Sequence, residues 1–138
     1  PSRFDAQVVA EIRDKLVKAE RNLVREGGPG TIETPFVNGG GSMSAIVKVV
    51  DGEVHYYRNG DETVRIVVLR RESGFTDDNV RIFLESKGSI RALRITEVRA
   101  LPAGIAKSGL SEATSRYLKA ALAIIEIDLT HAAEAAAR

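Results

Sequence analysis

The chain has 138 residues, 43% of them apolar and 28% charged, with a formal net charge of only +1. That is enough for one domain with its own core, and too little net charge to announce a polyanionic partner by itself. There is no cysteine, which excludes disulfides, thiol nucleophiles and thiolate metal sites.

Residues 5–26 read as a helix. Val9, Ile12, Leu16, Ala19 and Leu23 form one apolar seam against a charged opposite face. Asp5 suits the N-cap, and Gly27-Gly28-Pro29-Gly30 ends the helix. Residues 31–37 are short and extended. Asn38-Gly39-Gly40-Gly41-Ser42 follows, a stretch with high backbone freedom. It lacks the Gly-Lys-Ser/Thr ending of a phosphate-binding loop and opens a strand rather than a helix, so it reads as a hairpin connection.

Five strands are predicted after this loop: 45–50, 53–58, 63–71, 80–86 and 89–101. Asp51-Gly52, Asn59-Gly60 and Lys87-Gly88 are hairpin signals, and residues 72–79 form a longer loop. No helix-length segment separates the strands, so the sheet is an antiparallel meander of four to five strands. Pro102-Ala103-Gly104 breaks the last strand, and Ser111 caps a final helix to about residue 137. Leu118, Leu122, Ile125, Leu129, Ala132 and Ala136 line one face of it at alternating spacings of four and three. Ile124 and Ile127 lie off that stripe, which predicts burial on a second side, against either the N-terminal helix or a second subunit; the second is favoured, a homo-oligomer, dimer or tetramer, assembled through this helix. The fold class is therefore α+β, one domain over 1–138, with helix 5–26, sheet 31–101 and helix 111–137.

The charges are unevenly placed. Across the strands 63–71, 80–86 and 89–101 the cations are Arg65, Arg70, Arg71, Arg81, Arg91, Arg94 and Arg99, against Glu85 and Glu97. Asp51, Asp61, Glu62, Glu72, Asp77 and Asp78 collect in the turns. Guanidinium is planar, forks onto phosphate and stacks on bases. Strand alternation puts Arg65, Arg71 and Arg81 on the same face as Val67, Leu69 and Phe83. Interleaved arginine, apolar and aromatic side chains suit single-stranded nucleic acid, with cations along the backbone and rings accepting bases. Lys48, Arg58, Arg65, Arg71, Arg81 and Arg94 are the expected phosphate contacts. Tyr56, Tyr57 and Phe83 are the expected base contacts. Such a face also reads as an ordinary solvated surface in which the arginines pair with the acids of the rim.

Other motifs fail. His55 and His131 are far apart and have no zinc-site spacing. Pro1 is followed by a helix, not by the strand that proline-based tautomerases enter. Asp77-Asp78 reads as a solvated turn, and no Ser-His-Asp set is recognisable. No enzyme activity, metal or cofactor is expected. Scarce Met, Gln and Asn with abundant charge lean towards a thermophile, a composition that a GC-rich mesophile also produces. No signal peptide or spanning segment is evident, so a cytoplasmic location and no membrane partner are expected.

An N-terminal helix, an Arg-rich sheet (Thr-Val-Arg-Ile-Val-Val-Leu-Arg-Arg, Asn-Val-Arg-Ile-Phe-Leu, Ile-Arg-Ala-Leu-Arg-Ile-Thr-Glu-Val-Arg) and a long apolar C-terminal helix resemble the ThermoDBP-related proteins. These are single-stranded DNA-binding proteins of hyperthermophilic archaea. The resemblance implies a sheet backed by helices, single-stranded DNA or RNA as ligand, no cofactor, and assembly through helices. The alternative is a chaperone-like, oligomeric protein-interaction adaptor that holds a partner chain.

Overall fold

The computed structural model describes residues 36–37, 42–49, 51–101 and 111–138. The predicted helix 5–26, the glycine loop 39–41 and the loop 102–110 lie outside the described residues.

Short turns dictate the sheet. Strands β1 (Phe36–Val37), β2 (Ser42–Val49), β3 (Gly52–Asn59), β4 (Glu62–Val68), β5 (Val80–Ser86) and β6 (Ser89–Leu93) lie side by side in chain order, each antiparallel to the next. This is the predicted meander, with the two-residue β1 added to the five strands after the glycine loop. The hairpin signals hold. At the β5–β6 turn Lys87 and Gly88 both take positive φ, 52° and 82°, the pair of conformations that a tight two-residue hairpin requires. Gly60 (φ 61°) and Asp51 (φ 63°) serve the other two hairpins, and aspartate is among the few residues that tolerate this region. Gly52 is needed for another reason: a Cβ there would lie 1.9 Å from the Val68 carbonyl oxygen.

One face of the sheet carries helix α2 (Glu112–Ala136). On this helix face Tyr57, Val64, Ile66, Val68, Val80, Ile82, Leu84 and Leu93 meet Leu118, Leu122, Ile125 and Leu129. These are the helix positions expected from the four-three spacing, and all four are buried. At roughly 2 kcal/mol per fully buried aliphatic side chain, they contribute on the order of 8 kcal/mol before ordering costs. None of the helices among the described residues is long and apolar enough to cross a membrane.

Polar contacts fix the start of α2, and close packing holds its far end. At its start Ser111 is the N-cap, accepting from the Thr114 backbone N–H at 3.2 Å. Glu62 then locks this cap to the β3–β4 hairpin, accepting from Ser111 Oγ (2.6 Å), Ser111 N (3.1 Å) and Thr114 Oγ1 (2.5 Å). Burial opposes the charge on Glu62, but these three donors outweigh it and hold its pKa below the usual carboxylate value. Towards the other end, Gly74 in the β4–β5 connection lies against Ala133. That connection is pinned by Asn79. Its side-chain amide donates to the carbonyls of Arg70 and Gly74, both at 2.7 Å, and accepts from Arg70 N at 3.0 Å.

Two predicted strands are shorter than expected. The strand 63–71 ends at Val68, and Arg71–Ser73 is a 3-10 turn. The strand 89–101 ends at Leu93, and Ile95–Arg99 forms helix α1. Asp77 Oδ1 accepts from Ile95 N and Glu97 Oε1 accepts from Arg94 N, both at 3.1 Å, which satisfies the first amides of α1. Ile95 and Val98, three apart, are buried in the core. The alternation of apolar residues through 93 and 95 is thus shared between a strand end and a helix turn.

Candidate nucleic-acid interface

Strand pairing places the far-face residues in rows across the sheet. One row runs Ala45–Tyr56–Arg65–Phe83–Ala92 from β2 to β6. A second runs Val47–Val54–Val67–Arg81. A third runs Arg58–Thr63–Glu85–Ile90. Arg58, Arg65 and Arg81 therefore form a diagonal, one strand and one row apart at each step. With strands ~4.8 Å apart and ~6.8 Å per two residues, the step between Cα positions is about 8 Å.

Burial divides this face. Ala45, Val47, Val54, Tyr56 and Val67 are all buried, so β3 and β4 are enclosed on both faces. Towards β5 and β6 the face opens. Arg81, Phe83 and Glu85 are half-buried, and Ile90 and Ala92 are exposed. The open part of the far face is the β5–β6 side with the arginine diagonal at its margin.

Arg65, Arg81 and Phe83 share the far face as alternation predicts, with Phe83 directly across from Arg65. Arg65 is half-buried, lies over the Tyr56 ring at 5.8 Å and pairs with Glu85 at 3.1 Å. Arg58 is exposed at the end of β3. Tyr56 and Tyr57 are 2% and 3% exposed, and a base stacks only on an open ring. Tyr57 moreover faces the helix, where it stacks on Tyr117 at 4.3 Å. Burial, followed by the neighbouring Tyr57, pushes the Tyr117 phenol above its ordinary pKa. The expectation that the tyrosines meet bases is corrected accordingly: both are packing residues, and Phe83 is left as the aromatic surface.

Three cations sit elsewhere than the predicted face. Arg71 is in the 3-10 turn, not in a strand, and donates to the Glu53 carboxylate. Lys48 is exposed on the helix face, 3.8 Å from Glu53. Arg94 follows β6 as the exposed N-cap residue of α1, and among the described residues it makes no ion pair.

Glu53 is the hub of a cluster that sequence reading missed. Its other oxygen bonds to His55 Nε2. Burial raises its pKa, but the His55 hydrogen bond and charge, and then those of Arg71, overcome this and hold it down to about 2. The available signal was Glu53 and His55 at i and i+2, a spacing that puts both on one face of a strand. Chemically the cluster is a clamp: it ties the 3-10 turn to β3 and satisfies a carboxylate taken out of water. Lys87 and Arg91 were also outside the predicted set. Both are exposed on the β5–β6 hairpin, and among the described residues neither is ion-paired.

Compared with protein-family models, with curated proteins and with solved structures, the chain matches none.

Proposed function

We propose that the chain binds single-stranded nucleic acid, without sequence preference, across the β5–β6 side of the far face. The observation that carries this reading is the Arg58–Arg65–Arg81 diagonal beside the half-open Phe83. Three guanidinium groups at regular intervals suit successive phosphates, and a flanking ring with Ile90 and Ala92 beyond it accepts unstacked bases. Lys87 and Arg94 add positive field along the same edge, while Arg91, across from Leu84, projects from the opposite face. Arg65 must then exchange Glu85 for phosphate, which a half-exposed pair permits. The resemblance to the ThermoDBP-related proteins points to the same ligand, DNA ahead of RNA, to a thermophilic archaeal setting and to a cytoplasmic, cofactor-free binder rather than an enzyme.

The test is fluorescence anisotropy with labelled oligo-dT at low salt, repeated over a salt series. Three phosphate contacts give a log–log salt slope of about −2, since each contact on a single strand contributes about −0.7. Arg58→Ala and Arg81→Ala should each lower the slope by about 0.7. Phe83→Ala should weaken binding by roughly 1–3 kcal/mol, with the slope unchanged. Absence of binding at low salt refutes the function. Binding with slopes indifferent to Arg58 and Arg81 refutes the diagonal alone.

The second reading, a chaperone-like protein-interaction adaptor, draws on the exposed Ile124 and Ile127 of α2. Nuclease treatment separates the two: captured protein that is lost with the nucleic acid speaks for the first, and captured protein that survives speaks for the second.

A further inference from the structure

We infer that α2 pairs antiparallel with α2 of a second copy of this chain, about a two-fold axis at the level between Ile125 and Glu126. This does not rest on the nucleic-acid reading.

The helix carries two stripes. Leu118, Leu122, Ile125 and Leu129 face the sheet and are buried. A second series, Ala113, Tyr117, Ala120, Ile124, Ile127, His131 and Glu134, repeats at alternating intervals of four and three. That is the spacing of a coiled-coil seam. At 3.6 residues per turn its mean direction is about 150° from the core stripe, so its exposed members point away from the sheet, whereas Tyr117 at its edge packs inward on Tyr57. At its centre Ile124 and Ile127 are 59% and 57% exposed. Two large aliphatic side chains one turn apart on the outer face of the helix make an exposed apolar patch. The flanking Ala120 and Ala123 are small enough for another helix to come close. Ala120 and Ile124, with Tyr117, Ala121, Ile46, Ser44 and His55, also line a largely apolar cleft of about 260 Å³ beside the seam.

Charge selects the occupant and its direction. The first half of the seam is flanked by Arg116, and Glu134 lies at its far end. Two-fold antiparallel pairing sets Ile124 of each copy against Ile127 of the other. The same register brings Arg116 of each copy beside Glu134 of the other, on the same flank of the seam. The surface is thus complementary to itself, as an isologous contact must be. A parallel pair instead places Glu134 on Glu134 and His131 on His131 within the seam, and aligns the two helix dipoles. Arg116 now bonds Glu112 at 2.6 Å, in a pair exposed enough for Glu134 to share the guanidinium.

The test is sedimentation equilibrium of the nucleic-acid-free full chain, together with cysteine cross-linking. The native chain has no cysteine, so each introduced thiol is unique. The expected result is a dimer at roughly 100 μM, the range in which even a modest 10 μM Kd is nearly saturated. Ile124→Lys with Ile127→Lys should be monomeric, with unchanged circular dichroism. Arg116→Glu and Glu134→Arg should each weaken dimerisation about tenfold, the equivalent of ~1.4 kcal/mol over two symmetric contacts, and together should restore it. Under mild oxidation Ala120→Cys should cross-link to His131→Cys in a mixture, because the register sets these positions face to face. Ala120→Cys alone should not, since its own copies lie 11 residues, or about 16 Å, apart along the axis. A monomeric native chain, a dimer that survives both lysines, or self-cross-linking of Ala120→Cys overturns the inference.

Discussion

Removing the Glu62 carboxylate should release the start of α2 from the sheet. Three donors converge on it, and one of them, the Thr114 hydroxyl, belongs to a fully buried residue. A hydrogen bond to a charged acceptor contributes about 1.5–3 kcal/mol, and a buried hydroxyl left without its acceptor costs about 1–3 kcal/mol. Those figures overlap, because Ser111 is partly exposed and water re-solvates it. Glu62→Ala should therefore cost about 3 kcal/mol in total. Unfolding entropy of about 2.1 cal/mol/K per residue over 138 residues gives about 0.3 kcal/mol per degree. The expected fall in Tm is about 10 °C, read by circular dichroism at 222 nm. A double-mutant cycle with Thr114→Val separates the latch from generic damage. Thr114→Val should cost less in the Glu62→Ala background than alone, because its acceptor has gone. A fall in Tm below about 3 °C, or strictly additive effects, would refute the latch.

Three further outcomes are expected. Glu53 titrates at about 2 in the folded chain against 4.5 unperturbed, so its contribution is full above about pH 4.5 and disappears as pH falls to about 2. That is about 3 kcal/mol of acid-labile stability. Urea midpoints measured from pH 7 to 2.5 should fall more steeply in the native chain than in Glu53→Gln, and parallel curves would contradict the clamp. Asn79→Ala removes three hydrogen bonds and should cost about 2–3 kcal/mol, with faster amide exchange across residues 70–79. Unchanged exchange there would mean that the connection is held by packing. Gly52→Ala forces a methyl group against the Val68 carbonyl and should destabilise by about 3 kcal/mol or more, seen as a lowered urea midpoint. A native-like midpoint would show that the β2–β3 hairpin can shift to make room.

Local chemistry made most of the architecture legible. Glycine at the turns and alternation in the strands fixed the order of β2–β6, and the core residues Val64, Ile66, Val68, Val80, Ile82 and Leu84 alternate along their strands. Ser111 and the four-three spacing announced α2. The site was less legible for two reasons. Whether Tyr56 is open or enclosed depends on what lies over β3 and β4, and nothing in the strand itself reports that. The fate of a cation depends on partners remote in sequence: Arg71 meets Glu53 and Arg99 meets Glu126, 18 and 27 residues away. The Asp77 carboxylate that starts α1 is likewise 18 residues from the amide it accepts. Alternation reads the direction of a side chain correctly but is blind to what waits there.

The chain-order sheet has a consequence for how the molecule reaches this state. Every described strand pairs with its immediate neighbour in sequence, so the sheet can zip from strand to strand through tight turns and the one longer connection between β4 and β5. The costly long-range step is the docking of α2, whose Glu62–Ser111 contact spans 49 residues. Folding of the described part should thus divide into an early, local sheet and a late helix closure. On that division, core substitutions in α2 such as Leu122→Ala act mainly on the unfolding rate, and those at the β3–β4 and β5–β6 turns act on the folding rate.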